Sequence, residues 1–474
     1  MKDQSARRPR LLFLNPPAPL VVIRDYYCSK TSRSNYLFPP VDFVMQSGLL
    51  GTDYQLYFLD AVRDRLSEAA TLARVKEIRP DVVFFLAGAV NYPGDLQFVA
   101  GLAEPGRIFI GSGDIFLSDP ISWLTRYPFL NAVALNFTNH DVCYYLQGQY
   151  ERIRRMAYRT QAGDLVAVVD EAANSRINVG TPCHALFVDP RYRFPFAKSG
   201  KFTVFLTDFG CPFHCSFCVM SSLPYGYRPN DEALAELHAL NRLGIKELFW
   251  INQTFGVKRR GTLELLSDMA AFSSLFSWTT FCRPDLLDEQ LVSSMKKAGC
   301  HTIIMGVESG DDEILRRYHK EYTREQIAAA FALCRRHRIR TVGTFILGLP
   351  GETRETIKAT GRLAREIGCD FASFHVAVPR AATKLRQEAV QAGKIDSEDY
   401  TMDQAGSYVV LTPDGMEQKE LLALKKKIVL EFYLRPAYLV RQLFQVRSFY
   451  EWTNMAYQSF FLVFSTITAR WKSR

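Results

Sequence analysis

The chain has 474 residues, is 48% hydrophobic and 23% charged, and carries a formal net charge of +9. That length exceeds one ordinary domain, and the composition is that of a soluble globular protein, which excludes the disordered and fibrous classes. The charge excess is slight for such a chain and defines no nucleic-acid partner.

Residues Met1 to Arg10 are polar and basic, and the apolar stretch that follows is too short and proline-broken for a signal peptide. No stretch reaches the ~20 apolar residues of a membrane-spanning helix. Without an export signal, the ten cysteines read as reduced thiols in the cytoplasm. The first third alternates short apolar runs with amphipathic segments. The runs are Leu11–Leu14, Gln55–Leu59, Asp81–Leu86, Arg107–Ile110 and Ala132–Leu135, and they predict strands buried on both faces. Helical spacing over Leu66–Ile78 and Ser118–Arg126 places helices between them. This alternation predicts an α/β class, Rossmann-like doubly wound sheet over residues 1–150.

Residues 151–200 read as a connection, with a small hairpin around Leu165–Val169. From Phe202 the alternation resumes. Candidate strands are Thr203–Leu206, Glu247–Ile251, Ser277–Phe281, Thr302–Met305, Thr341–Leu347 and Phe371–Val376, with helices such as Asp231–Leu243, Asp288–Ala298 and Arg324–His337 between them. Six such units over residues 201–410 predict a partial (β/α)6 barrel, open where the familiar barrel closes with eight. Residues 411–474 carry no strand signal and predict a helical region.

Seven cysteines (Cys28, Cys143, Cys183, Cys282, Cys300, Cys334 and Cys369) are scattered, as buried small apolar residues are. The other three are not. Gly210-Cys211-Pro212-Phe213-His214-Cys215-Ser216-Phe217-Cys218 follows the first barrel strand directly. Closely spaced thiols on one loop suit a metal or an iron–sulfur cluster. A structural zinc site wants four ligands, and no second cysteine pair stands at zinc spacing; His214 is wedged between two of the cysteines. Three thiols on an iron–sulfur cube leave one iron open for chemistry. A non-catalytic metal-binding protein is the reading from another class.

The spacing C-x3-C-x2-C, with Phe217 before the last cysteine, resembles the signature of radical S-adenosylmethionine (SAM) enzymes. The resemblance implies a [4Fe–4S] cluster on Cys211, Cys215 and Cys218 whose open iron chelates SAM. An electron from that cluster then yields methionine and a 5′-deoxyadenosyl radical that abstracts hydrogen from a substrate. It implies SAM contacts for Glu308 and Ser309 after the fourth strand, for Gly348 in Gly343–Glu352, and for Arg283 after the third. The family's Gly-Gly-Glu after the second strand is replaced by Asn252-Gln253-Thr254-Phe255, which makes Asn252 the candidate there. An electron donor such as flavodoxin or ferredoxin is implied as a partner.

A doubly wound domain ahead of such a barrel is the layout of the cobalamin-binding branch. Leu11–Pro17, with Asn15, and the stretch Gly111-Ser112-Gly113 are similar to that branch's pattern, the latter near the cofactor's nucleotide tail. The cobalt-ligating Asp-x-His-x-x-Gly is missing. The branch implies cobalamin-dependent C-methylation, with oxidative ring closure of the anaerobic tetrapyrrole cyclase type as the alternative. The tail, from Phe432 through Phe464, is aromatic, apolar and basic. It reads as an outer helical layer, as a cap over a large apolar substrate (tetrapyrrole, isoprenoid or other natural product), or as a peripheral membrane contact. The second cluster and appended basic domain of RNA-modifying relatives are not seen, so no nucleic-acid partner is expected. His375 and Arg380, after the sixth strand, stand where barrels contact substrate, and a satisfied core histidine is the expectation for His375.

Overall fold

Strand β1 (Arg10–Asn15) carries four consecutive apolar residues, all fully buried, as a strand covered on both faces requires. It belongs to a computed structural model that describes residues 7–26, 29–170, 176–270, 276–406, 409–445 and 448–468. Parallel to β1 run β2 (Gln55–Asp60), β3 (Val82–Leu86), β4 (Ile108–Ser112) and β5 (Ala132–Ala134), in the order β2-β1-β3-β4-β5. This is the flavodoxin-like order, whose switch point lies beside the carboxyl end of β1. Two antiparallel strands, β6 (Arg155–Arg159) and β7 (Leu165–Val169), then extend the sheet past β5. The first sheet therefore extends past residue 150, to Val169. The turn between β6 and β7, closed by Thr160 N–H donating to the Asp164 carbonyl, sends the chain back along the edge instead of away from it.

The connection that follows is packed. Phe187, Tyr192 and Phe194 are buried, and His184 meets Glu236, which also takes a buried ion pair from Arg228. Six parallel strands then stand in sequence order. They are β8 (Phe202–Phe205), β9 (Glu247–Trp250), β10 (Ser277–Cys282), β11 (Cys300–Glu308), β12 (Arg340–Leu347) and β13 (Phe371–Val376). They form the partial barrel, with helices at Asn230–Arg242, Glu289–Lys297, Arg324–Arg336 and Arg354–Glu366 outside. Helices α1 (Val41–Leu50), in the first domain, and α2 (Gln418–Tyr433), α3 (Pro436–Gln445) and α4 (Phe449–Thr468), at the far end of the chain, matter below.

The two units are stitched together by Arg380, just after β13. Its guanidinium donates to the carbonyl of Tyr26 at 2.8 Å and pairs with Asp114 at 3.1 Å, both in the first domain and with no access to water. Of the scattered cysteines, Cys143, Cys282, Cys300, Cys334 and Cys369 are buried as expected, Cys183 is exposed, and Cys28 lies outside the described residues.

Candidate active site

Gly210 opens the cysteine loop at φ 78°, where a side chain would strike the Pro224 carbonyl. Beyond it Cys211, Cys215 and Cys218 all line one cavity of about 690 Å³, enclosed by the barrel mouth, the first domain and the C-terminal helices. Burial and the neighbouring thiols push the Cys218 thiol up to about 12. Cys211 Sγ lies 3.2 Å from Thr254 Oγ1, and Arg283 Nη1 lies 3.9 Å from Cys215 Sγ. His214 is exposed and apart from the cavity lining. Among the described residues, no group of three or more His, Cys, Asp or Glu side chains is drawn in closely enough to hold a single metal ion. The thiols share a wall instead of closing on a point.

Opposite them stands a charged wall. Strand β11 bulges between Gly306 and Glu308, and Glu308 adopts the left-handed conformation at φ 64°, a strained geometry for a glutamate. The bulge turns its carboxylate into the cavity, where it meets Lys320 Nζ at 3.0 Å. Burial alone would lower the Lys320 ammonium; Glu308, with Tyr322 and Cys215 beyond it, outweighs that and holds it well above its ordinary value. Arg283 is buried, pairs with Asp285 at 2.9 Å, donates to the Lys320 carbonyl, and lies over the Phe213 ring. Phe217 lines the same cavity and packs on Tyr318. Lys320 has no motif around it, and sequence reasoning missed it.

Two residues expected here stand elsewhere. Asn252 is buried at the end of β9. Its Oδ1 accepts from Thr207 and Asp208 N–H, and its amide donates to both side chains. All its hydrogen bonds are thus spent on tying β9 to the strand before the cysteine loop, while Gln253 and Thr254 reach the cavity. Ser309 is fully buried and bonds the Asp311 N–H, on the far side of the bulge from the cavity.

Gly348 (φ 89°) begins the turn after β12, and a side chain there would strike Leu421 of α2. The turn is held by Glu352, whose Oε2 accepts the Gly348 and Leu349 N–H groups at 2.7 and 2.9 Å; Leu349 lines the cavity. Glu352 Oε1 is buried with no partner, and burial raises this carboxyl from 4.5 to about 8 against those two bonds. The folded chain thus holds a proton that the unfolded chain releases. The associated stability is complete below pH 4.5 and is lost as pH rises through about 8. Glu352→Gln should remove that slope, gaining relative to the parent about 1.4 kcal/mol per pH unit within the window. Thermal unfolding from pH 6 to 9 tests this, and parallel curves for the two proteins would refute it.

In the first domain, the crevice beyond the carboxyl ends of the strands is filled by the protein itself. Asn15 donates to Asp60 and accepts from Arg24, which forms a fully buried ion pair with Asp95. Ser112 donates to Asp42 of α1 at 3.0 Å, a side chain at Gly111 would meet the Phe116 ring, and one at Gly113 would strike the Ala87 carbonyl. Tyr26 occupies the gap between β4 and β5, its hydroxyl donating to the Ala134 carbonyl and its ring between Phe137 and Phe209. Asn15, Gly111, Ser112 and Gly113 are thus all packed against groups of the protein itself. A short hairpin, Val22–Arg24 with Ser29–Thr31, covers the place that the sequence pattern marks. The first domain contributes to the cavity a wall of Asp25, Lys30, Ser34, Tyr36 and Phe38, aromatic and polar in mixture.

His375 and Ser373 on β13 also face the cavity, joined by a 2.9 Å hydrogen bond. His375 is a cavity residue and not a satisfied core histidine, and burial holds its imidazole well below its ordinary value. Arg380 is the interdomain tie described above. Tyr433, Leu434, Tyr438 and Leu439, together with residues of α4, complete the outer wall.

Residues 207–364, which include all three cysteines, match the family model of the radical SAM superfamily. An uncharacterized methyltransferase, PH0819 of Pyrococcus horikoshii, is 25% identical over 87% of this chain and 91% of its own length. The anaerobic magnesium-protoporphyrin IX monomethyl ester cyclase of Rubrivivax gelatinosus is also 25% identical, over 85% of this chain and 75% of its own. Among solved structures, the cobalamin-dependent SAM radical enzyme OxsB aligns with 97% of this chain and 72% of its own at a TM-score of 0.64 and 14% identity. The radical SAM methyltransferase TsrM of Kitasatospora setae aligns with 81% and 77% at a TM-score of 0.63 and 18% identity. Residues 207–364 thus carry a radical SAM domain, and the parallel sheet with the open six-stranded barrel and its cysteine-lined cavity has the fold of the cobalamin-dependent radical SAM enzymes.

Proposed function

We propose that this enzyme binds a [4Fe–4S] cluster through Cys211, Cys215 and Cys218 and uses SAM to activate a carbon–hydrogen bond for C-methylation of an apolar small molecule. One observation carries the reading: three thiols on one loop share a cavity wall opposite the buried Glu308–Lys320 pair. A bound cluster of this kind supplies the electron that splits SAM into methionine and a 5′-deoxyadenosyl radical. The chain's part is to hold and to exclude. Glu308 and Lys320 offer an acceptor and a donor to the amino-acid end of SAM. Arg283, held in place by Asp285, sets its guanidinium edge beside Cys215. The Gly348–Leu349 turn gives a flat base a close backbone surface. Phe217, Phe249, Phe281, Ile304 and Ile346 make the remaining cavity apolar, so a radical formed there meets the substrate before water.

Methyl transfer is favoured over ring closure by the methyltransferase relative, which this chain matches over nearly its whole length; the cyclase relative keeps oxidative chemistry as the second reading. For methylation the methyl carrier would be cobalamin, which Tyr36 and Phe38 of the cavity wall would hold, while the filled crevice would give its nucleotide tail no contact. Cobinamide, the corrin without the tail, is then expected to bind at least as tightly as cobalamin in an absorbance titration. A clear preference for cobalamin would overturn that placement. The reaction class is tested by anaerobic reconstitution with iron and sulfide, then SAM, a low-potential reductant such as reduced flavodoxin or ferredoxin, and cobalamin. Methionine and 5′-deoxyadenosine are expected, with S-adenosylhomocysteine as the mark of methyl transfer. A colourless protein that leaves SAM intact would sink the radical reading; 5′-deoxyadenosine without S-adenosylhomocysteine would favour the cyclase chemistry.

A further inference from the structure

Helix α4 is turned inside out. Its buried side chains are polar: Glu451 pairs with Arg340, and Asn454 donates to the Phe194 carbonyl. Gln458 is 7% exposed, lines the cavity, and has neither amide atom in a hydrogen bond. Its outward face carries Phe449 at 82% exposure, Trp452, Phe460, Val463 and Phe464. An ordinary surface helix does the reverse. Leu434 at the end of α2, with Leu439 and Val440 of α3, continues the apolar face; among the described residues, eight of the eleven exposed large hydrophobic side chains lie from Leu434 onward. Leu434, Leu439 and Val463 are both exposed and part of the cavity lining, so the outer patch and the inner cavity are one continuous apolar surface. From Leu434 the sequence holds Arg435, Arg441, Arg447, Arg470, Lys472 and Arg474 against one acid, Glu451. That acid is already paired inward. No described helix is long and apolar enough to cross a bilayer.

We infer that α3 and α4 seat the enzyme on an anionic membrane surface and form a portal through which a membrane-dissolved substrate reaches the radical site. An exposed aromatic face flanked by arginines and lysines is what an interfacial helix needs. The rings enter the acyl boundary and the cations meet acidic headgroups. A portal opening on that face lets an apolar molecule pass from lipid to cavity without crossing water, where its solvation would be unfavourable in proportion to its apolar area. The buried Gln458 amide, unmatched by the protein, is placed for the one polar group of such a molecule. The substrate class is therefore a long apolar body with a single hydroxyl or carbonyl near the reacting end. This deepens the proposed function and rests on it for the site, though not for the surface.

The test uses the full, cluster-reconstituted chain and vesicles of phosphatidylcholine with or without phosphatidylglycerol. Sedimentation with the anionic vesicles, weakened by salt, is expected. Trp123, Trp250 and Trp278 are buried and Trp452 is exposed, so in a Trp471→Phe background a vesicle-induced blue shift of emission reports α4. Phe460→Asp with Phe464→Asp should lower partitioning by about tenfold or more and leave SAM cleavage unchanged, since neither ring lines the cavity. No partition, equal partition of the double variant, or a homodimer that hides the face would each overturn the inference. Loss of SAM cleavage with vesicle binding intact would count against the proposed function alone. Dodecanol and dodecane, competing with a fluorescent apolar dye, probe the portal's inner end. The alcohol should bind more tightly in the parent, and Gln458→Leu should erase the difference; an unchanged preference would refute the role given to Gln458.

Discussion

Cys215→Ala is expected to yield a folded, colourless protein that makes no 5′-deoxyadenosine above background. The loop does not depend on the thiol for its shape. The Cys218 N–H bonds the Cys215 carbonyl, Ser216 N–H the Tyr318 carbonyl and Leu385 N–H the Ser216 carbonyl, all main-chain contacts that alanine preserves. Loss of one small buried side chain costs stability only modestly. On the proposed function, the thiol is one of three holding an iron–sulfur cube, and a cube left with two protein ligands is not retained. Iron and sulfide analysis, the visible absorption of the reconstituted protein, and quantification of 5′-deoxyadenosine check it. A variant that stays brown and active would remove Cys215 from the ligand set; Cys28→Ser, outside the cysteine loop, should match the parent.

Lys320→Met carries the second large effect. The ammonium and Glu308 form a largely buried pair, and Arg283 donates to the backbone of Lys320 itself. Removing one member of a buried pair strands the other charge, with a cost of about 3–5 kcal/mol. Lys320→Met with Glu308→Gln should recover most of the stability, since no lone charge remains, but not SAM binding, since both polar partners are gone. Denaturant unfolding of the three proteins, with SAM binding by equilibrium dialysis, separates the two effects. A double variant that binds SAM like the parent would exclude the pair from the site.

The fold was largely legible because its signals are local. Runs such as Leu11–Leu14 and Asp81–Leu86 have no reading except a strand covered on both faces, and the barrel helices were placed within a residue or two by their spacing. The cysteine loop was legible for the same reason, since three thiols within eight residues need no tertiary knowledge to be seen. What failed was non-local. Asn252 and Ser309 are polar residues at strand ends, which is where ligand contacts stand, but their hydrogen bonds are spent on neighbouring loops that the sequence does not show to be near. Lys320 acquires its role only because the β11 bulge turns Glu308 toward it. Gly111–Gly113 marked a crevice, but the approach of Tyr26 to it, from a hairpin with no pattern of its own, was not legible. The tail's aromatic, basic character was plain, but which face α4 presents outward follows from Arg340 and Phe194, far away in the chain.

The Arg380 tie has a consequence for the barrel itself. Its guanidinium is anchored by the Tyr26 carbonyl and Asp114. A barrel cut free of the first domain would expose the apolar wall above its cysteines and leave that cation without its counter-charge. The first domain is thus scaffolding for the barrel as well as a wall of its cavity.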